Sequence, residues 1–196
     1  MCSVDTNAGE TYIYEYSEDL RYIKAIKIPN EFQKLGAFAK DDEGNYYLFY
    51  ADRATSKLAV NMALVKYDND GNKLKTMKLA ANPQNSLDGM RNPFSAGSCR
   101  LALSGSMLAV YFARQMFNGH QASYGFIVDK DTFERVDRGA ATNAESSGNS
   151  QIPYVSHSFN QFILPVDNGF IFADQGDVYP RCFGFANFKG EGTPKD

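Results

Sequence analysis

Apolar positions along the chain fall in short aromatic or β-branched runs, nearly all of them closed off by Asp, Asn or Gly. That spacing predicts strands joined by turns, with little helix. "YIYEYSEDLRYIKAIKIP" (12–29) reads as two strands about a tight turn, and "MALVKYDNDGNKLKTMKLA" (62–80) has the same form with a sharper "NDGN" turn. An Asx-Gly pair supplies the positive φ that a short hairpin requires. "YGFIVDKDTFERVDRG" (124–139) repeats the form, and "RCFGFANFKGEG" (181–192) looks like a further copy cut short.

A second unit recurs between these hairpins. "LGAFAKDDEGNYYLFYADRA" (35–54), "CRLALSGSMLAVYFARQM" (99–116) and "SFNQFILPVDNGFIFADQGD" (158–177) each give a strand, a short turn and a stronger strand. Their second strands align as "LFYADR", "VYFARQ" and "FIFADQ", which sets Ala51, Ala113 and Ala173 at matching positions 62 and 60 residues apart. Four-stranded antiparallel units at such a period resemble the blades of a β-propeller, over almost the whole chain. The WD dipeptide, the Kelch double glycine and the Asp-box are all missing. The resemblance implies an all-β propeller of about three and a half blades, either a small ring or a partial propeller whose missing blades come from another chain, as in a homodimer, or lie outside this sequence. A β-sandwich built from the same strands is the alternative.

Composition narrows the partners. The 196 residues carry 20 basic and 23 acidic side chains for a net charge of −3, scattered without a long block of one sign. No footprint for nucleic acid follows from that balance. No apolar run approaches the ~20 residues of a bilayer span, and the polar start "MCSVDTNAGE" is not a signal peptide. Regular structure begins almost at once, as expected of a piece cut from a longer, exported protein. Cys2, Cys99 and Cys182 are too few and too far apart for a zinc ribbon. A Cys99–Cys182 bridge and two separately buried thiols both fit the sequence.

If each blade runs from strand A at the axis to strand D at the rim, the A–B and C–D turns leave on one face and the B–C and D–A links on the other. The first set is tight: "DDEGN", "SGS", "VDNG", "SED", "NDGN" and "KDTF". The second set is long, with "DRATSKLAVN", "RQMFNGHQA", "DQGDVYPR", "ANPQNSLDGMRNPFSAGS" and "AATNAESSGNSQIPYVSHS". A hairpin closes with two to five residues, so long links gathered on one face point to a binding surface. The candidate ligand-binding residues on that face are Arg53, Arg114, His120, His157, Asn160, Gln161, Asp174, Asp177, Tyr179 and Arg181.

The two arginines are suited to an anionic group or to covering aromatics, and Asp177 with Arg181 to an ion pair that staples a loop. His120, His157 and an aspartate would supply a two-His, one-carboxylate metal set, but no H-x-x-x-H or C-x-x-C spacing backs it, and no metal or cofactor is expected. "YDNDGN" lacks the downstream acid of a calcium loop and reads as a turn. There is no G-x-S-x-G elbow, and Asp52, Asp174 and Asp177 are the carboxylates that glycoside chemistry would have to use.

"SHSFNQF" (156–162) and "GDVYPR" (176–181) resemble segments of poorly characterised, exported bacterial repeat proteins, over the last quarter of the chain. This implies an extracytoplasmic origin and no activity; a cytoplasmic origin is the alternative. The expected function is a non-catalytic binding module for carbohydrate or a protein partner, with Phe117, Tyr154 and Tyr179 stacking on sugar rings. The rivals are a polysaccharide-active hydrolase or lyase centred on His157, Asp177 and Arg181, and a structural module for self-assembly. Neither nucleic-acid binding nor membrane insertion is expected.

Overall fold

A computed structural model of the chain describes residues 2–7, 9–82, 88–95, 97–136, 157–176 and 182–189. Among these residues every regular element is a β-strand, and the strands form four antiparallel sheets in chain order. The first holds β1 (Cys2–Asn7), β2 (Glu10–Tyr16) and β3 (Tyr22–Pro29). The second runs in sequence order through β4 (Lys34–Lys40), β5 (Tyr46–Ala51), β6 (Val60–Tyr67) and β7 (Lys73–Ala80). In the third, the two-residue β8 (Asn92–Pro93) and β9 (Cys99–Ser104) pair with β10 (Met107–Gln115), which pairs with β11 (Gln121–Asp129). β12 (Ser158–Val166), β13 (Gly169–Gly176) and β14 (Cys182–Lys189) make the fourth.

The turns form as the sequence predicts. The Asp68 carboxylate accepts from the backbone N–H of Asp70 at 2.9 Å and of Asn72 at 2.8 Å, with Gly71 at φ +87°. Those bonds fix "YDNDGN" as a hairpin turn. Asp129 receives the N–H groups of Asp131 and Thr132 at 2.9 and 2.7 Å in the same way. After that turn, the described part of the hairpin expected over 124–139 pairs through one bridge, between Val128 and Arg135, and residues 137–139 lie outside the described residues. Two other strands went unforeseen. β1 adds a third strand to the first sheet, and β8 lies inside a stretch that reads only as a link.

The four sheets stack face on face. Ile13, Ile26 and Ile28 of the first pack on Tyr46, Leu48, Tyr50, Val65 and Tyr67 of the second. The opposite side of the second sheet places Tyr47, Phe49, Met62 and Leu64 against Leu108, Val110, Phe112, Tyr124 and Phe126 of the third. Ala109, Tyr111 and Ile127 on the far side of the third meet Phe170 and Phe172 of the fourth. β5, β6, β10 and β11 are therefore covered on both faces, which is why they read as largely apolar stretches and not as an alternating pattern. β7, at the edge of its sheet, carries Lys73, Lys75 and Lys78, exposed charges that discourage pairing with another edge. Between neighbouring sheets, β4 lies against β9 and β9 against β12.

Cys99 is a free, buried thiol in the core between the second and third sheets, so no Cys99–Cys182 bridge forms. Burial pushes that thiol far above the ordinary cysteine range, which keeps it protonated and inert.

One carboxylate joins the first two sheets. Glu15 accepts hydrogen bonds from Lys40 and from the Tyr46 hydroxyl, with Lys24 at 3.8 Å. Burial alone would raise its pKa, but the bonds from Lys40 and Tyr46 outweigh that and lower it. The ionised form is thus favoured by folding. Its contribution is complete above the carboxyl's ordinary value of 4.5 and disappears as pH falls through the lower folded value. Glu15→Gln is accordingly expected to flatten the loss of stability below that pH in urea titrations, while an unchanged acid limb would show that Glu15 does not contribute to it.

Candidate functional site at the long-link end

The two kinds of connection separate to opposite ends of the stack. At the tight-turn end, Lys24 Nζ donates to the Asn69 carbonyl at 2.6 Å, Lys130 N to Ser106 O at 2.7 Å and Ser104 Oγ to Val166 O at 2.7 Å. At the other end the links bind one another. Gln33 N donates to Asp52 Oδ1 at 2.9 Å, Ala54 N to Arg91 O at 2.7 Å and Phe117 N to Asp88 O at 3.1 Å. Asn61 Nδ2 reaches both Asp52 O and Met90 O at 3.0 Å, so one amide ties the β5–β6 link to the segment before β8.

Asp88 is the knot of this end. Its carboxylate pairs with Lys57 at 2.6 Å and accepts the Asn118 N–H, joining links from the second and third sheets. The bond from Lys57 is the main cause of its lowered pKa; partial burial opposes it and the Asn118 N–H reinforces it. Lys57 Nζ also lies 6.0 Å from the centre of the Phe117 ring. Sequence reading passed over Lys57, Asp88 and Asn118, because "DG" at Asp88–Gly89 signals only a turn.

The sequence candidates divide into buried and surface groups. Arg114 is fully buried. Its Nη1 donates to the Gly89 carbonyl at 2.8 Å and its guanidinium lies 5.4 Å from the Tyr124 ring centre, so it fastens a link and covers an aromatic, out of reach of a surface ligand. Gln161 and Asp174 are also buried, between the third and fourth sheets. Gln161 Nε2 donates to both Asp174 oxygens at 3.2 and 3.0 Å, and Tyr111 donates to Asp174 Oδ2 at 3.1 Å. Ser98 closes the chain through its N–H and hydroxyl, both given to Gln161 Oε1, at 3.1 and 2.9 Å. Burial first, and then the neighbouring Asp174 carboxylate, push the Tyr111 phenol well above its ordinary value, so it remains a donor. Ala51, Ala113 and Ala173 are each followed by one of these anchors: Asp52, Arg114 and Asp174.

Arg53, Asn160 and His120 are exposed, and His157 is half-buried. The two histidine rings lie side by side, with centres 6.1 Å apart, and His157 N donates to Gln121 O at 2.8 Å. Among the described residues no group of three or more His, Cys, Asp or Glu is arranged to hold a metal, and Asp174 is turned away into the sheet interface. Tyr154, Asp177, Tyr179 and Arg181 lie outside the described residues, and with them the Asp177–Arg181 staple.

These features define an all-β protein of consecutive antiparallel sheets with an elaborated end. In comparison with protein-family models and with curated proteins, the sequence matches none.

Proposed function

We propose that the chain is a non-catalytic binding module whose four sheets are successive blades of a partial propeller, and that it takes its ligand at the long-link end. The propeller reading rests on sheets that follow chain order, stack face on face and set β4, β9 and β12 side by side. One observation carries the choice of surface. Tight turns gather at one end, whereas at the other the links are long and cross-fastened, more chain than strand closure needs. The exposed Arg53, His120 and Asn160 and the half-buried Phe117 combine a ring face with hydrogen-bonding groups, which suits a glycan.

The test is calorimetric titration against a panel of soluble cell-surface polysaccharides, with release of reducing ends and of unsaturated sugars followed in the same mixtures. Binding is expected without turnover, and Arg53→Ala combined with Phe117→Ala should weaken it at least about tenfold at an unchanged melting temperature. Sugar release by the wild-type chain that His157→Asn abolishes would replace the binding module with the polysaccharide-active enzyme. Asn is the choice there because His157 sits at φ +49°, a conformation Asn tolerates.

A further inference from the structure

The face of the fourth sheet that turns away from the third is apolar and open. Phe162 and Leu164 on β12 and Phe183 and Phe185 on β14 are 55%, 58%, 66% and 71% exposed. The register joins them across β13 as Phe162–Ala173–Phe185 and Leu164–Ile171, giving one contiguous patch. Contiguous apolar surface of this kind marks an interaction site more often than scattered exposed side chains do.

The repeat shows what kind of surface belongs on it. Ile171 occupies the position that Phe49 has in the second sheet and Tyr111 in the third, by the same alignment that matches Ala51, Ala113 and Ala173. Phe49 and Tyr111 are fully buried, each beneath the next sheet, with Phe49 against Phe112 and Phe126 and Tyr111 against Phe172. Ile171 is only half-buried, and among the described residues no sheet packs over it. The receiving surface in each covered pair is the opposite face of the following sheet, which in the second sheet includes Tyr46, Tyr50 and Tyr67.

At the other end of the stack, among the described residues, the first sheet presents one such receiving face with no sheet packed on it. Tyr16 stands immediately before the Ser17 turn as Tyr67 stands before the Asp68 turn, so Tyr12, Tyr14 and Tyr16 correspond to Ala63, Val65 and Tyr67. The latter three are buried under the first sheet, while the three tyrosines are half-exposed. Tyr12 and Tyr14 stack with ring centres 6.3 Å apart, and Tyr16 meets Tyr22 edge-on at 6.2 Å.

We propose that the open face of the fourth sheet docks on the tyrosine face of the first sheet of a second copy, continuing the stacking rule of the three interfaces within the chain. The two faces differ, so the contact is heterologous. Two such contacts about a twofold axis close both open faces at once, with each copy giving its four sheets to one ring. This goes beyond the ligand reading of the long-link end and is measured without any ligand.

Light scattering and sedimentation across a concentration series test it. The wild-type chain is expected to show a dimer mass that dissociates on dilution. Phe185→Lys on one face and Tyr14→Lys on the other should each raise the dissociation constant at least about thirtyfold, as expected when a buried aromatic anchor is lost. An equimolar mixture of the two variants should associate more strongly than either alone, because it restores one intact contact. Circular dichroism checks that both fold, and Leu164→Glu provides a second reading on the same face. A wild-type monomer at every concentration, a dimer that either substitution leaves unchanged, or variants that gain nothing on mixing would each overturn the proposal.

Discussion

Phe49→Ala is expected to lower the unfolding free energy by about 3–5 kcal/mol, the usual range for removing a buried phenylalanine. Phe49 is fully buried on β5, and its ring centre lies 5.5 Å from Phe94, 5.4 Å from Phe112 and 5.7 Å from Phe126. Those neighbours come from the segment after β8 and from β10 and β11, so one ring binds the second and third sheets together. None of the three can fill the void without leaving its own contacts, because Phe112 also packs on Tyr124 and Phe94. A loss of this size is a large share of the ~5–15 kcal/mol that a folded domain commands. Urea titration measures it directly. Leu58→Ala, at a side chain 88% exposed, is the control and should stay within about 0.5 kcal/mol. A Phe49→Ala loss below about 1 kcal/mol would mean that the sheets are not held through this contact.

The second large effect is expected at Asp174. Its substitution by Ala removes the acceptor shared by Tyr111 and Gln161. Each buried donor left unsatisfied costs about 1–3 kcal/mol, and loss of the carboxylate's own desolvation penalty returns part of that, giving a net destabilisation of about 2–4 kcal/mol. The damage should be local, because the bonds of Asp174 and Gln161 to Tyr111 and Ser98 join β10 and the Ser98 segment to β12 and β13. Hydrogen exchange should therefore quicken in β12 and β13 before it changes in β5 and β6. Asp174→Asn keeps one carbonyl acceptor and should lose less. Equal losses for Ala and Asn, or uniform loosening of all four sheets, would show that the network does not act as the fastening of the fourth sheet.

The division between sequence and structure follows the range of the interactions involved. Turns were legible because they are closed by neighbours: Asp68 binds backbone groups two and four residues on, and Gly71 supplies the positive φ within the same five residues. The alternation of strands and turns, and the matched Ala51, Ala113 and Ala173, likewise gave four consecutive β units without any tertiary information. Failures came where distant chain decides. Among the described residues, the start of the expected fourth strand of the third sheet pairs only through the Val128–Arg135 bridge although its sequence alternates acceptably. β8 exists only because Asn92 and Pro93 meet the end of β10.

The candidate site divides along the same line. Arg114, Gln161 and Asp174 look like polar residues at the mouth of links, and Arg53 and His120 look no different in sequence. Packing makes the distinction: the segment around Gly89 lies over Arg114 and takes its hydrogen bond, and the third sheet closes over Asp174 and Gln161. The sequence by itself determined strand periodicity, turn chemistry and the succession of sheets, all of which depend on contacts a few residues long. Only the tertiary structure decided which polar groups are buried anchors, that Cys99 stays unbridged, and that Phe162, Leu164, Phe183 and Phe185 form an exposed apolar patch. Those outcomes depend on which surfaces meet, and the free energy of a meeting is set by partners that lie far apart along the chain.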